Sequence, residues 1–514
     1  MTETAWKQVR FTEAHVIDIL GQVSRSSMTT RESPTSTAVR RRGVGLTYQR
    51  QQIAPLWSGM LGQQAGVGVA GYVHERSPQP SPQRTCGARA ENAQIDRMSA
   101  RQRASSGHQT EVVAVMLPVD GRVIAPPSVG PEWWASAIPC DAMPLVLAPA
   151  SDGGWFGGLQ VVAWAPELFA QGVSRQQAAD ILERCASART PCLAAALLPY
   201  DGTATVARYA GGLVRTPEGW RIWGALNDSD VPALTSPAPI PARPETTLVT
   251  DVRSDLDAAA FRRGVLDTIE AIRAGDVYVL NLTRRLVGRA ASTPVHAFAS
   301  LLSRSEAEMA AFWTTSGLTI VSASPERFIR IAGGCIEVCP IKGTRPRAEG
   351  ERDIAMVTDL LASEKERAEH VMIVDLERND IGKVCCPGTV TVNPLLDVVA
   401  TPYCHQMVSR VRGILDADAS LGEVLESTFP CGSITGAPKI AAMRRIAALE
   451  GSPRATYTGS LVVAIPGELD SAVLIRTAEY RGTEVRWGTG GPSCVCGHPW
   501  RRPLADRLIG RACL

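Results

Sequence analysis

Residues Leu318–Thr344 read LTIVSASPERFIRIAGGCIEVCPIKGT. The apolar, β-branched runs Leu318–Ala323 and Phe328–Ile331 read as a strand pair that brackets Ser324-Pro325-Glu326-Arg327. Gly333-Gly334 turns the chain into a further strand, Cys335–Ile341, which runs on to the Lys342-Gly343-Thr344 turn. Glu326 and Lys342 lie 16 residues apart, on neighbouring strands of one hairpin by this reading. A register that sets both at one end of the sheet supplies a carboxyl acid and an amine nucleophile, provided burial lowers the amine's pKa. A surface ion pair across a hairpin is the competing reading.

On the N-terminal side, Asp255–Ala274 reads as an amphipathic helix with Phe261, Val265, Ile269 and Ile272 on one face, stopped by Gly275-Asp276. Val277–Leu286 follows as a strand. On the C-terminal side, Lys365–Arg378 reads as a helix with Gly382 near its end as a C-cap. Glu369 sits there at the rim of an apolar stripe with Ile373 and Leu376, beside core-directed Val371 and Met372. It is either a Mg²⁺ ligand or a solvated glutamate at helical spacing. Ser427–Lys439 (STFPCGSITGAPK) leads into a helix over Lys439–Leu449. There Gly432, Ser433, Thr435 and Gly436 make an anion-receiving turn just before a helix N-terminus, without the order of a Walker loop. Arg476, in a strand over Ala472–Thr477, suits a bidentate grip on a carboxylate, or a structural salt bridge. His405 is a candidate base or a satisfied core histidine. Cys494, Cys496 and His498 form half of a zinc pattern and fall short of a site.

Further out, residues 111–230 give apolar runs punctuated by Gly and Pro that read mostly as strands, with a helix over Arg175–Ala188. Residues 231–249 are a Pro-rich linker. The 514-residue chain carries 53 basic and 51 acidic side chains, a net charge of +2, which excludes nucleic-acid binding through bulk charge. Residues 1–110 hold 14 Lys/Arg against 7 Asp/Glu and read as a disordered basic extension, an interaction arm or sequence never selected to fold. No apolar run is long enough to span a bilayer, and Met1–Phe11 lacks the plan of a secretory signal. Thirteen scattered cysteines do not make a disulfide framework. A cytoplasmic protein is expected. Only 5 of its basic residues are lysines, and Lys342, Lys365, Lys383 and Lys439 cluster in one stretch. Lysine differs most from arginine where a deprotonated amine or a compact charge is needed, so chemistry is expected there.

Five strings occur in order: SASPERF (Ser322–Phe328), PIKGTRPR (Pro340–Arg347), AEHVMIVDLERNDIGKV (Ala368–Val384), FPCGSITGAPK (Phe429–Lys439) and YTGS…IRTAEY (Tyr457–Tyr480). Over about 250–491, and more weakly over 111–230, the chain resembles the chorismate-utilising enzymes: anthranilate synthase component I, aminodeoxychorismate synthase component I, and the isochorismate and salicylate synthases. The resemblance implies an α/β (α+β) fold, an antiparallel β-sandwich wrapped by helices. In that family PIAGT marks anthranilate synthases and PIKGT marks aminodeoxychorismate synthases, and this chain has Lys342. The resemblance then implies that Lys342 attacks chorismate at carbon two, that Glu326 protonates the departing carbon-four hydroxyl, and that ammonia adds at carbon four. It implies Mg²⁺ on Glu369, substrate carboxylates at Gly432, Ser433, Thr435, Gly436 and Arg476, and His405, Tyr457, Gly490 and Gly491 lining the site. A separate glutamine amidotransferase subunit would supply the ammonia, on the route to 4-aminobenzoate and folate.

Beyond Trp487-Gly488-Thr489-Gly490-Gly491 the chain departs from the family. There the family has an acidic segment and a helix with a second Mg²⁺ carboxylate, whereas residues 492–514 form a basic tail whose one acidic residue is Asp506. A frameshifted or miscalled end would explain this tail, and a misplaced start would explain residues 1–110. The alternatives to an active aminodeoxychorismate synthase are an anthranilate synthase, or an inactive copy acting as a partner-binding scaffold.

Overall fold

The computed structural model describes residues 123–226, 230–231, 247–401 and 403–493. The basic extension, most of the Pro-rich linker and the tail with Cys494, Cys496, His498 and Asp506 lie outside them. The described residues build three antiparallel sheets of 12, 9 and 3 strands. The 12-stranded sheet runs from Val123–Ala125 at one edge to Gly436–Ala437 at the other, and the 9-stranded sheet from Thr391–Val392 to Leu168–Val173.

The two large sheets stack face to face. Along Leu193–Leu198, in the 9-stranded sheet, Leu193, Ala195 and Leu197 pack with Leu145, Trp313 and Ile320 of the other sheet. Ala194, Ala196 and Leu198 point the opposite way, onto the helices Arg175–Ala186 and Leu421–Thr428. Ser460–Ile465 divides its side chains in the same manner. Strands buried on both faces need apolar residues at every position, so LAAALL and SLVVAI carry no alternation. On the outer face of the 12-stranded sheet, Phe312 and Val321 meet Trp134 and Phe298 of two further helices. The result is helix, sheet, sheet, helix, the antiparallel sandwich wrapped by helices that the sequence implies.

The described residues of both expected regions, 123–226 and those from 247 on, contribute to both large sheets. Leu145–Leu147 pairs with Met309–Thr315, and Leu193–Leu198 with Ser460–Ile465. The helices fall where periodicity sets them, though Glu364–Gly382 runs past the expected end at Arg378 and takes Lys383, not Gly382, as its C-cap. Arg175–Ala186 starts with a capping box, Ser174 to Gln177, and stops two residues before the expected end. Ala258–Arg273 is capped by Asp257, which accepts from the Ala260 N–H at 2.6 Å. Among the described residues no helix is long and apolar enough to cross a membrane.

The hairpin expected to carry Glu326 and Lys342 is corrected by the topology. Leu318–Ser324 belongs to the 12-stranded sheet and Arg327–Ala332 to the 9-stranded one, so Glu326 sits where the chain crosses between sheets. Arg327–Ala332 does form a hairpin with Cys335–Val338 through Gly333-Gly334. Cys339-Pro340 then ends that ladder, and Ile341–Pro346 joins the third sheet against Cys404–Val408. Arg476 also leaves its expected strand. It lies between Glu468–Val473 and Thr477–Arg481 with φ +49, a left-handed turn.

Candidate active site

The long helix Glu364–Gly382 defines one wall. Its buried residues are Glu366, Glu369, His370, Ile373, Val374, Glu377, Asp380 and Ile381, spaced three and four apart. Its buried stripe therefore carries most of its acids, while Val371, expected in the core, is exposed. A solvated Glu369 is corrected in the same way, since its side chain is 1% exposed. Burying carboxylates is costly unless cations answer them.

The answering cations come from other elements. Lys342 Nζ lies 3.5 Å from Glu369 Oε1, Arg345 reaches Glu366 at 3.8 Å, and Lys439 sits 2.5 Å from Asp380 Oδ2. Gly343, next to Lys342, has φ +77 at a break in the ladder with Cys404–Val408. A Cβ there would come within 2.9 Å of Leu360, so glycine lets the strand press against the helices.

Glu326 and Lys342 meet on Ser433 rather than on each other. Lys342 Nζ donates to the Ser433 carbonyl at 2.8 Å, and the Ser433 side chain hydrogen-bonds the Glu326 carboxyl. Burial pushes the Glu326 carboxyl above the usual carboxylate range, opposed by Ser433, Lys342, the Ile341 backbone and Arg476. Glu326 Oε1 and Glu369 Oε2 are buried with no hydrogen-bond partner. A carboxyl with raised proton affinity, a lysine and a second buried carboxyl thus converge on one turn, with acceptor capacity left over.

That turn is fixed from behind. Arg454 is 3% exposed, donates to the Ile434 carbonyl at 2.9 Å and to the Asn281 carbonyl at 2.6 Å, and pairs with Glu450 at 2.7 Å. The Thr435 carbonyl accepts from the Asn281 backbone N–H at 2.9 Å. Gly436 has φ +151 and lies so close to Val279 that a Cβ would sit 2.2 Å from its carbonyl oxygen. One donor of the expected anion-receiving turn is already engaged: the Gly432 N–H donates to Glu377 Oε1 at 2.8 Å.

The other candidates spread outward. Gly490 and Gly491 pair with Thr283 and Leu282 on Val279–Ala290, whose other edge carries Gly436 opposite Leu280, so one strand separates them from the turn. Tyr457 packs its ring over Gly488. Arg476 is exposed and acts on Glu326 through charge alone. His405 is not joined to this cluster by a hydrogen bond. Its Nε2 lies 2.8 Å from Asp353 Oδ1, on the helix Glu351–Ala362.

Three residues escaped the sequence reading. His370 is buried, bonded through Nε2 to Ser409 Oγ at 2.7 Å, and held neutral by burial and the nearby Lys342 charge, at about 4. Glu366 and Glu377 are the others. All three recur at the spacing of Ile373 and Ile381, so the signal was helical periodicity read with charges included. A magnesium ion fits this wall only in part. Glu369 offers one orphaned buried oxygen, but among the described residues no group of three His, Cys, Asp or Glu side chains gathers to hold a metal.

Comparison with known proteins identifies the family. The family model for chorismate binding enzymes matches residues 219–492. An aminodeoxychorismate synthase of Streptomyces pristinaespiralis is 40% identical over 276 residues, 52% of this chain and 38% of that protein. Anthranilate synthase component 1 of Aeropyrum pernix is 36% identical over 261 residues, 50% of this chain and 60% of that one. The chain thus spans about 40–60% of these relatives' length. The solved menaquinone-specific isochorismate synthase of Escherichia coli shares the fold, with a TM-score of 0.61 at 15% identity, covering 75% of this chain and 91% of its own. The matched region takes in just over half of the chain and every residue of the Glu326–Lys342–Glu369–Ser433 cluster, and the chain therefore belongs to the chorismate binding enzymes.

Proposed function

We propose that this chain is the aminating component of an aminodeoxychorismate synthase, converting chorismate and ammonia to 4-amino-4-deoxychorismate for 4-aminobenzoate and folate synthesis. The observation that carries the reading is Lys342: a buried side-chain amine held by the Ser433 carbonyl and Glu369, sharing Ser433 with a carboxyl whose proton affinity burial raises. An anthranilate synthase needs no amine there, and the family pattern has alanine at that place.

Once Lys342 has given up its proton to solvent, its amine attacks ring carbon two, the ring double bonds shift, and the carbon-four C–O bond breaks. Glu326 gives its proton to that oxygen, which leaves as water instead of hydroxide, a poor leaving group. Ammonia then adds at carbon four, the double bonds shift back, and the Lys342 amine is released. Ser433 keeps the acid and the amine at a fixed separation throughout. Arg476 and the turn Gly432–Gly436 are assigned to substrate carboxylates. Glu369 is assigned to Mg²⁺, which when bound neutralises substrate carboxylate charge. The ammonia is assigned to a separate glutamine amidotransferase, in keeping with relatives named as a first component.

The full chain incubated with chorismate, Mg²⁺ and ammonium at high pH, with an added lyase, yields 4-aminobenzoate by chromatography under this reading. Anthranilate as the product would assign the other branch. Folded protein that gives neither product would overturn the proposal.

A further inference from the structure

Glu377 lies two turns beyond Glu369 on the helix Glu364–Gly382, and no step above uses it. Its side chain is fully buried. Oε1 accepts the Gly432 N–H at 2.8 Å and the Cys431 thiol at 3.4 Å, while Oε2 has no hydrogen-bond partner. A Cβ on Gly432 would sit 2.8 Å from Oε1, so the carboxyl lies directly beneath the first residue of the turn. Cys431 Sγ is 3.2 Å from Ser433 Oγ, and Ser433 bonds both Glu326 and Lys342. One buried line of polar groups therefore runs from Glu377 to the acid and the amine.

Resting on the reading of this turn as a substrate-carboxylate site, we propose that Glu377 is a positioning residue that takes up a proton when an anionic substrate binds. An ionised carboxylate under the turn faces the incoming carboxylate across a single backbone amide. In a site with little water that repulsion is strong, and binding removes it by protonating Glu377. The groups that face Glu377 pull in both directions. Burial raises its affinity for a proton most, and Asp380, one turn along the same helix, adds to this; Lys439, from the helix Lys439–Leu449, opposes it. Lys439 is itself shared with Asp380 and with the Thr428 carbonyl. The Cys431 thiol, which faces it from the turn, stays protonated because burial pushes it far up. The balance leaves Glu377 near 7, so both forms are present at neutral pH.

Binding of chorismate to the full chain with Mg²⁺, measured by calorimetry from pH 6 to 8 in buffers of differing ionisation enthalpy, tests this. The native protein takes up a growing fraction of a proton as pH rises, and its Kd weakens toward tenfold per pH unit above the transition. Glu377→Gln keeps the acceptor for the Gly432 N–H and loses the titration, so proton uptake vanishes and Kd becomes flat with pH. Glu377→Asp, available should the glutamine variant not fold, moves the pH of half-maximal uptake. Binding by the native protein without proton uptake, or identical pH dependence in the variants, overturns the inference and leaves the assigned function standing. Native protein that binds no chorismate at any pH overturns the assigned function and this inference with it.

Discussion

Glu326 and Arg327 are neighbours in sequence and opposites in the structure. Arg327 grips Asp470 through two bonds of 2.8 and 3.1 Å and donates to the Gly154 carbonyl, while Asp470 also accepts the backbone N–H groups of Phe156 and Ser471. That pair is satisfied: it ties the crossing between the sheets to the strand Glu468–Val473. One residue earlier, Glu326 keeps an unpartnered buried oxygen, and so does Glu369 beyond Lys342. Arg327 has all its partners within the fold, whereas Glu326 retains a buried oxygen with unused acceptor capacity, the kind of group that marks a candidate ligand site.

The comparison breaks most visibly at Lys342. Lys342→Ala is expected to abolish aminodeoxychorismate formation from chorismate and ammonia, and Lys342→Arg not to restore it, because a guanidinium does not give up its proton. Undiminished turnover by either variant would end the assignment. Glu326→Gln keeps the shape and removes the acid, so kcat should fall by about 10²–10⁴-fold while the circular dichroism spectrum stays native.

On the satisfied side, Asp470→Asn leaves Arg327 without its charge partner. It should lower stability by roughly 3–5 kcal/mol, read from denaturant unfolding, with activity per folded molecule retained. A loss of kcat without loss of stability would erase the distinction between the two neighbours.

Glu377 stands between the two classes, partly bonded and partly orphaned. Its affinity for a proton is higher in the folded chain than in the unfolded one, about 7 against an ordinary 4.5. Its contribution to stability is therefore complete below about pH 4.5 and is lost as pH rises through about 7, a change of about 3 kcal/mol. The native protein minus Glu377→Gln should show that slope in chemical denaturation across this window. The smallest effect belongs far from the site. Ser174→Ala removes one capping box and should cost about 1 kcal/mol of stability with no change in activity.

Local spacing determined much of this protein by itself. The helices over Ala258–Arg273, Glu364–Gly382 and Lys439–Leu449 lie where helical spacing sets them, give or take a few residues at their ends, and the Gly333-Gly334 hairpin follows from its turn. The motif strings singled out Glu326, Lys342, Glu369 and Ser433 as candidates, an acid, an amine, a carboxylate and a turn hydroxyl. How these meet was not legible. Glu326 stands at a crossing between two sheets, Lys342 in a third, Glu369 on a helix and Ser433 in a turn 91 residues beyond Lys342. Such contacts depend on how sheets stack, which no period of 2 or 3.6 encodes. The same holds for which side of the helix Glu364–Gly382 is buried: composition favours an apolar stripe, and only the cations brought by distant strands make an acidic one affordable.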